Sequence, residues 1–168
     1  MDIIFNRRSV RSYSEKPVEA EKKEKLLRAA MQAPSAGNQQ PWEFIVVEER
    51  KNLIQLSKMS QYSQMIAKAP LAIVLLGNEA RMKFAGNWQQ DMGAAAENML
   101  LEAAYIGLGA VWLGVYPMED RMEKVKKQFE LPEGITPFSV ISIGYPAEEN
   151  ANHFVERFDK SRIHEEKW

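Results

Sequence analysis

Apolar residues fall along this chain in two rhythms. Four stretches are apolar almost without a break: "WEFIVV" (42–47), "PLAIVLLG" (70–77), "AVWLGVY" (110–116) and "FSVISIGY" (138–145). Their length and β-branched and aromatic content predict strands, and the unbroken run at 70–77 predicts one buried on both faces. Between them the apolar positions recur every three or four residues, the rhythm of a helix with one buried side. "VEAEKKEKLLRAAMQA" (18–33) predicts a helix with Leu26, Leu27, Ala30 and Met31 inward. A polar helix is expected around Arg50 to Met59, a shorter one around Ser63 to Lys68, and an exposed amphipathic one over "MEDRMEKVKKQFE". At the start, Asp2 is placed to cap a short helix over "IIFNRRS", which Pro17 separates from the next.

The longest helix is predicted from Trp88 to Leu108, closed by Gly107 and Gly109. Met92, Ala95 or Ala96, Met99, Ala103 and Ile106 form its stripe, and Leu100, Ala104 and Leu108 widen it beyond one face. Gly93 and Ala94 to Ala96 would let another backbone come close. Such a helix needs cover on several sides, which a second copy of the chain supplies more easily than one fold alone. Helices alternating with strands, a leading helical pair and a polar tail after Pro146 predict one sheet flanked by helices.

Composition narrows the possibilities. The 168 residues are expected to form a single domain, with 147–168 as an extended arm. A net charge of −1 gives no global attraction to nucleic acid or an anionic membrane, so any anion site must be local. The absence of cysteine excludes disulfides, thiolate metal sites and thiol nucleophiles. His153 and His164 are too far apart to share a helical face, and no metal site is expected. No apolar run is long enough to span a bilayer, and "MDIIFNRRS" is not a signal peptide, so the expected location is cytoplasmic.

Three segments carry candidate chemistry. "GLGAVWLG" superficially suggests a dinucleotide loop, but Trp112 stands where the third glycine belongs, and the glycines close a helix instead of opening one. "RRSVRSY" concentrates Arg7, Arg8 and Arg11 around Ser9. On a helix, Arg7 and Arg11, or Arg8 and Arg11, would converge on one anion such as a phosphate. The plainer reading is a basic surface patch answered by Glu15 and Glu19. "PSAGNQQP" (34–41) offers amides and a hydroxyl beside Trp42, suited to a planar heterocycle or simply to a long turn.

Taken together and in this order, the segments resemble the nitroreductase family. "RRSVRSY" is similar to its opening Arg-x-Ser-x-Arg/Lys, and "APSAGNQQPWEFIVV" to its Ala-Pro-Ser-x-x-Asn-x-Gln-Pro-Trp loop and strand. "DMGAAAENMLLEAAYIGLGAVWLG" resembles its interface helix and following strand, and "RFDKSRIHEEKW" its basic C-terminal arm. The resemblance implies an α+β fold of the three-layer α/β type, with a central, mainly antiparallel sheet flanked by helices. It also implies a domain-sharing homodimer holding FMN at the interface.

Carried over residue by residue, the resemblance gives Arg7, Arg8 and Ser9 to the FMN phosphate and Arg11 to the pyrimidine edge of the ring, where it would offset charge on reduced flavin. Pro34, Ser35, Ala36 and Asn38 would come from the partner subunit. Trp112, Leu113 and Gly114 would run along the ring, and Gln64 and Met65 match as further contacts. Arg157 and Arg162 compete for the remaining phosphate contact. No catalytic side chain is implied, because the flavin carries the chemistry. The implied activity is hydride transfer from NADH or NADPH through FMN to a nitroaromatic, quinone or similar small acceptor by a ping-pong mechanism. Alternatives are a non-catalytic flavin-binding or storage protein, related reductive chemistry such as dehalogenation, and a simple phosphate-ligand module. One departure is Leu113, where longer relatives carry an acidic residue; with the short chain, it leaves acceptor and nicotinamide preference open.

Overall fold

The computed structural model describes residues 3–168. The expected cap Asp2 lies outside the described residues. A one-turn helix α1 (Ile3–Asn6) and an extended segment lead into α2 (Ala20–Met31). Strand β1 (Trp42–Val47), helix α3 (Arg50–Leu56) and strand β2 (Leu71–Asn78) follow. The second half runs α4 (Trp88–Tyr105), β3 (Gly109–Gly114), α5 (Glu119–Phe129) and β4 (Ile135–Gly144). The strands lie in the order β1-β2-β4-β3, and every neighbouring pair is antiparallel.

Strand β2 explains the three layers. Its side chains alternate, with Leu71, Ile73 and Leu75 entering one core and Ala72, Val74 and Leu76 the other. The first core is closed by Leu26 and Ala30 of α2 and by Met92, Ala95, Ala96, Met99 and Ala103 of α4. The second is closed by Leu53 and Leu56 of α3 and Val125 of α5. Each large side chain fully buried in these cores stabilises the fold by about 1.5–3 kcal/mol relative to exposure. The continuous run at 70–77 is therefore the central strand it was expected to be.

The helices follow their predicted stripes with small differences at the ends. In α2 Leu26 and Ala30 are buried and Leu27 partly so, but Met31 is exposed at the helix end. Helix α4 stops at Tyr105, short of Leu108, because Leu108 is drawn into the first core just before β3 begins. Its outer side, including Leu101 and Tyr105, remains partly or fully open in the single chain.

The N-terminal segment departs from expectation. A helix over "IIFNRRS" survives only as α1, and the backbone is extended beyond it. Ser9 pairs in parallel with Ala110, and the Val10 N–H donates to Ala110 O at 3.0 Å. Arg7, Arg8 and Arg11 therefore share no helical face. A helix this short is marginal alone, whereas pairing with β3 satisfies backbone groups and buries Val10. Tyr13 fastens the segment further on: its hydroxyl lies 2.7 Å from Val10 O and 3.0 Å from Ser142 O. Burial holds the Tyr13 pKa above the usual tyrosine value.

The tail is tied down at Asn152, which accepts from the Arg8 N–H at 2.9 Å and donates to Leu108 O at 3.2 Å. From His153 onward every residue is exposed, including Phe154, Val155, Phe158, Ile163 and Trp168. Among the described residues no helix is long and apolar enough to cross a membrane.

Gly109 permits the pairing of the N-terminal segment with β3. A Cβ built there would lie 2.6 Å from Val10 Cβ, and that near end of a side chain cannot swing away. Gly109→Ala is predicted to loosen the segment from β3 without unfolding the sheet. Amide exchange at Val10 should speed up while Ile73 and Ile141 stay protected. Unchanged protection at Val10 would contradict this account.

Candidate functional site

A cavity of about 430 Å³ opens along β3. Trp112, Leu113 and Gly114 form one wall; Gln64 and Met65 of the turn Gln64–Lys68 stand across from them, and Arg11 reaches in from the N-terminal strand. These six are all residues the sequence marks as flavin contacts, and they come from three separate segments. Ser60, Gln61, Tyr62 and Arg121 complete the lining. Arg121 donates from Nη1 to Gly114 O at 2.8 Å, so α5 is latched to the end of β3.

Arg7, Arg8 and Arg157 make a second feature. Arg8 is half-buried and donates to the carbonyls of Arg7 and Phe5, while its Nε has no hydrogen-bond partner. Partial desolvation, then the positive charges of Arg157 and Arg7, push the Arg8 pKa below its ordinary value. Like charges at that range repel unless an anion joins them. Arg7 lies with Nε 3.2 Å from Glu97 Oε1 on α4. Glu19, one of the two carboxylates expected to answer the arginines, is engaged by Tyr145 and Lys16 instead. The Tyr145 hydroxyl, foremost, draws the Glu19 pKa down to about 2. Arg162 is spoken for too, with Nε 3.1 Å from Asp159 Oδ2, whereas among the described residues Arg157 has no acidic partner.

The loop from Pro34 to Pro41 lies elsewhere. None of Pro34, Ser35, Ala36 or Asn38 lines the β3 cavity. Its backbone makes a tight turn at Ala36–Asn38, with Gly37, Asn38 and Gln40 all left-handed at φ 55°, 53° and 48°. Gly37 is required twice over, since a Cβ there would sit 2.3 Å from the Phe84 ring. Left-handed backbone at a non-glycine residue costs about 1–3 kcal/mol and persists only when its surroundings impose it.

Asp91 imposes it. This carboxylate of α4 is buried, accepts from the Ala36 N–H at 2.9 Å and from Gln39 Nε2 at 2.5 Å, and has no cationic partner among the described residues. Gln39 in turn accepts from the Phe84 N–H at 2.8 Å. Asp91, Gln39 and Arg121 are absent from the sequence-derived site. Asp91 was legible in principle as an acid beside Met92 on an apolar helical stripe. Arg121 was legible as a cation in a helix first turn, where acids are favoured.

The geometry agrees with what comparison with known proteins shows. The sequence profile of the nitroreductase family matches residues 4–71 and 55–145. A protein of Archaeoglobus fulgidus described as an NADH dehydrogenase/NAD(P)H nitroreductase is 46% identical over 170 residues, covering 100% of this chain and 98% of that one. The crystal structure of a protein from Clostridium acetobutylicum designated an NADH oxidase superimposes with a TM-score of 0.96 at 61% identity, covering 99% of this chain and 100% of the other. An FMN-dependent nitroreductase from Clostridium difficile R20291 gives a TM-score of 0.90 at 31% identity, over 99% and 98% of the two chains. The chain belongs to the nitroreductase family.

Asp91→Asn tests how the loop is held. The amide keeps the shape but turns a donor toward a donor of Ala36 or Gln39, an unsatisfied buried contact costing about 1–3 kcal/mol. Urea unfolding should register that loss, and amides of residues 36–40 should exchange faster than those of β2. Wild-type stability with unchanged loop exchange would remove Asp91 from this role.

Proposed function

We propose that this protein is an NAD(P)H-dependent, FMN-containing oxidoreductase that works as a homodimer and reduces a nitroaromatic, quinone or similar small acceptor in a ping-pong cycle. The observation that carries the reading is the convergence of Arg11, Gln64, Met65, Trp112, Leu113 and Gly114 on one cavity. Bound flavin would supply the redox chemistry, taking a hydride from the nicotinamide and passing two electrons to the acceptor. The protein holds and polarises it. Arg11 places positive charge beside the ring, which favours the reduced, more anionic form. The β3 backbone and Trp112 give the ring a flat wall.

The residues fit a phosphate as well. Among the described residues, Arg7, Arg8 and Arg157 gather positive charge that no carboxylate fully neutralises, and the buried Arg8 Nε lacks a hydrogen-bond partner. An oxyanion relieves that repulsion with charge-assisted hydrogen bonds. This favours Arg157 over Arg162 as the tail's phosphate ligand, since Arg162 is already paired to Asp159.

Two further observations support a dimer with shared sites. The single chain leaves Ile4, Phe5, Tyr105 and the tail's Phe154, Phe158, Ile163 and Trp168 exposed. A groove of about 370 Å³ runs between Ile3, Ala29 and Gln32 on one side and Asn98, Leu101 and Tyr105 on the other. An obligate dimer interface typically buries more than about 2,000 Å². The loop at 34–41 lies away from the cavity of its own chain, which fits a role of Ser35 and Asn38 in the site of a partner subunit.

The purified protein should be yellow, be bleached by NAD(P)H under anaerobic conditions and recover its colour with a nitroaromatic. A colourless protein would sink the flavin reading; a yellow one that NAD(P)H leaves unbleached would favour a storage role. Arg8→Ala and Arg157→Ala should each weaken FMN retention roughly ten- to a hundredfold, with Arg162→Ala close to wild type. Equal losses in Arg157→Ala and Arg162→Ala would reject that choice of phosphate ligand. For the shared site, an Arg7→Ala, Arg11→Ala chain is mixed with a Ser35→Ala, Asn38→Ala chain. Exchange should restore one of the two sites in each heterodimer, about a quarter of all sites in a statistical equimolar mixture, because the other heterodimer site then collects every lesion. No recovery after demonstrated exchange would assign both segments to one subunit's site.

A further inference from the structure

The β3 cavity holds two cations and no carboxylate. Arg11 enters from the N-terminal strand and Arg121 from the first turn of α5, while the rest of the lining is neutral. Among the described residues neither arginine forms an ion pair. The chain as a whole carries −1, so this surplus of positive charge is local to the cavity.

Arg121 stands where a helix does not favour it. The positive end of a helix dipole favours acids, and Glu119 and Asp120 conform to that rule; Arg121 directly after them does not. Its hydrogen bond to Gly114 O explains how the side chain is oriented but not why it is an arginine. A latch needs one donor, which a neutral amide provides. A guanidinium has five donors in a planar fork, and the others in Arg121 have no protein acceptor among the described residues. A fork anchored by one arm, with its charge unneutralised in the lining of a cavity, is suited to receive a planar oxyanion in bidentate fashion.

We infer that Arg121 determines acceptor specificity, receiving the carboxylate of a one-ring aromatic acid. This rests on the flavin reading: with Arg11 and the Trp112–Gly114 wall given to the flavin, Arg121 is the cation of the lining left for the acceptor, and Tyr62 of the same lining offers an aromatic surface. Arg11 serves the cofactor, Arg121 the acceptor.

The test uses the oxidised holoprotein and a non-reducible pair of probes of equal shape, benzoate and benzamide. Each is titrated while the flavin's visible band is followed, and calorimetry on the same samples reads binding independently of colour. Wild type should bind benzoate roughly ten- to a hundredfold more tightly than benzamide, the range expected of a charge-assisted contact. Arg121→Gln keeps a donor for Gly114 O and should abolish that preference while leaving benzamide affinity unchanged. Arg121→Lys should restore part of it. With 4-nitrobenzoate and 4-nitrobenzamide as acceptors, Arg121→Gln should raise KM for the acid relative to KM for the amide. Equal affinity for the two probes in wild type, or a preference surviving in Arg121→Gln, would overturn the inference. A colourless protein would instead sink the flavin reading, while calorimetry still decides whether Arg121 binds the carboxylate.

Discussion

Val10 lies so close to Gly109 that no side chain could be added between them, and its N–H is bonded to the carbonyl of Ala110. That contact lays the extended segment at Ser9 and Val10 alongside β3 through a parallel bridge to Ala110. Without it the arginines would stay on a short surface helix with solvent for company. With it, Arg11 reaches the cavity that β3 lines, and Arg8 sits half-buried where Asn152 holds the root of the tail. One missing methyl group at Gly109 thus brings the two ends of the chain to the same edge of the sheet.

The site is supported from several directions by groups that never enter it. Asp91 and Gln39 hold the loop at 34–41 in a backbone form it would not adopt unaided. Tyr13 ties the N-terminal strand to β4, and Arg121 ties α5 to the end of β3. Each support is a polar group placed between elements distant in sequence. The two apolar cores contribute differently: they clamp the sheet from both faces.

Charge organises what packing leaves open. The chain is nearly neutral overall, yet one edge of the sheet gathers Arg7, Arg8, Arg11, Arg121 and Arg157 with little acid among them. Glu97 tethers Arg7, Glu19 is engaged by Lys16, and Asp159 by Arg162. Such an edge is more stable with anions bound than without them, which joins cofactor binding to the stability of the fold.

The strands and helices were legible because they obey local periodicities. The apolar runs from Trp42, Pro70, Ala110 and Phe138 became β1 to β4, and the stripe from Met92 to Ala103 became the buried side of α4. The candidate flavin contacts were legible as ordered motifs, and six of them meet in one cavity. The N-terminal helix was misjudged because helical spacing says nothing of an unpaired strand edge waiting elsewhere. Asp91, Gln39 and Arg121 were missed for a related reason: each acts through a partner 7 to 55 residues away, a distance no local pattern encodes. The sequence by itself determined the elements, the layers and the family's motifs, since those follow from side-chain periodicity and residue type. Only the tertiary structure decided which arginines share an edge, which carboxylates are already taken and what holds the loop, because those depend on distances created when separate segments pack.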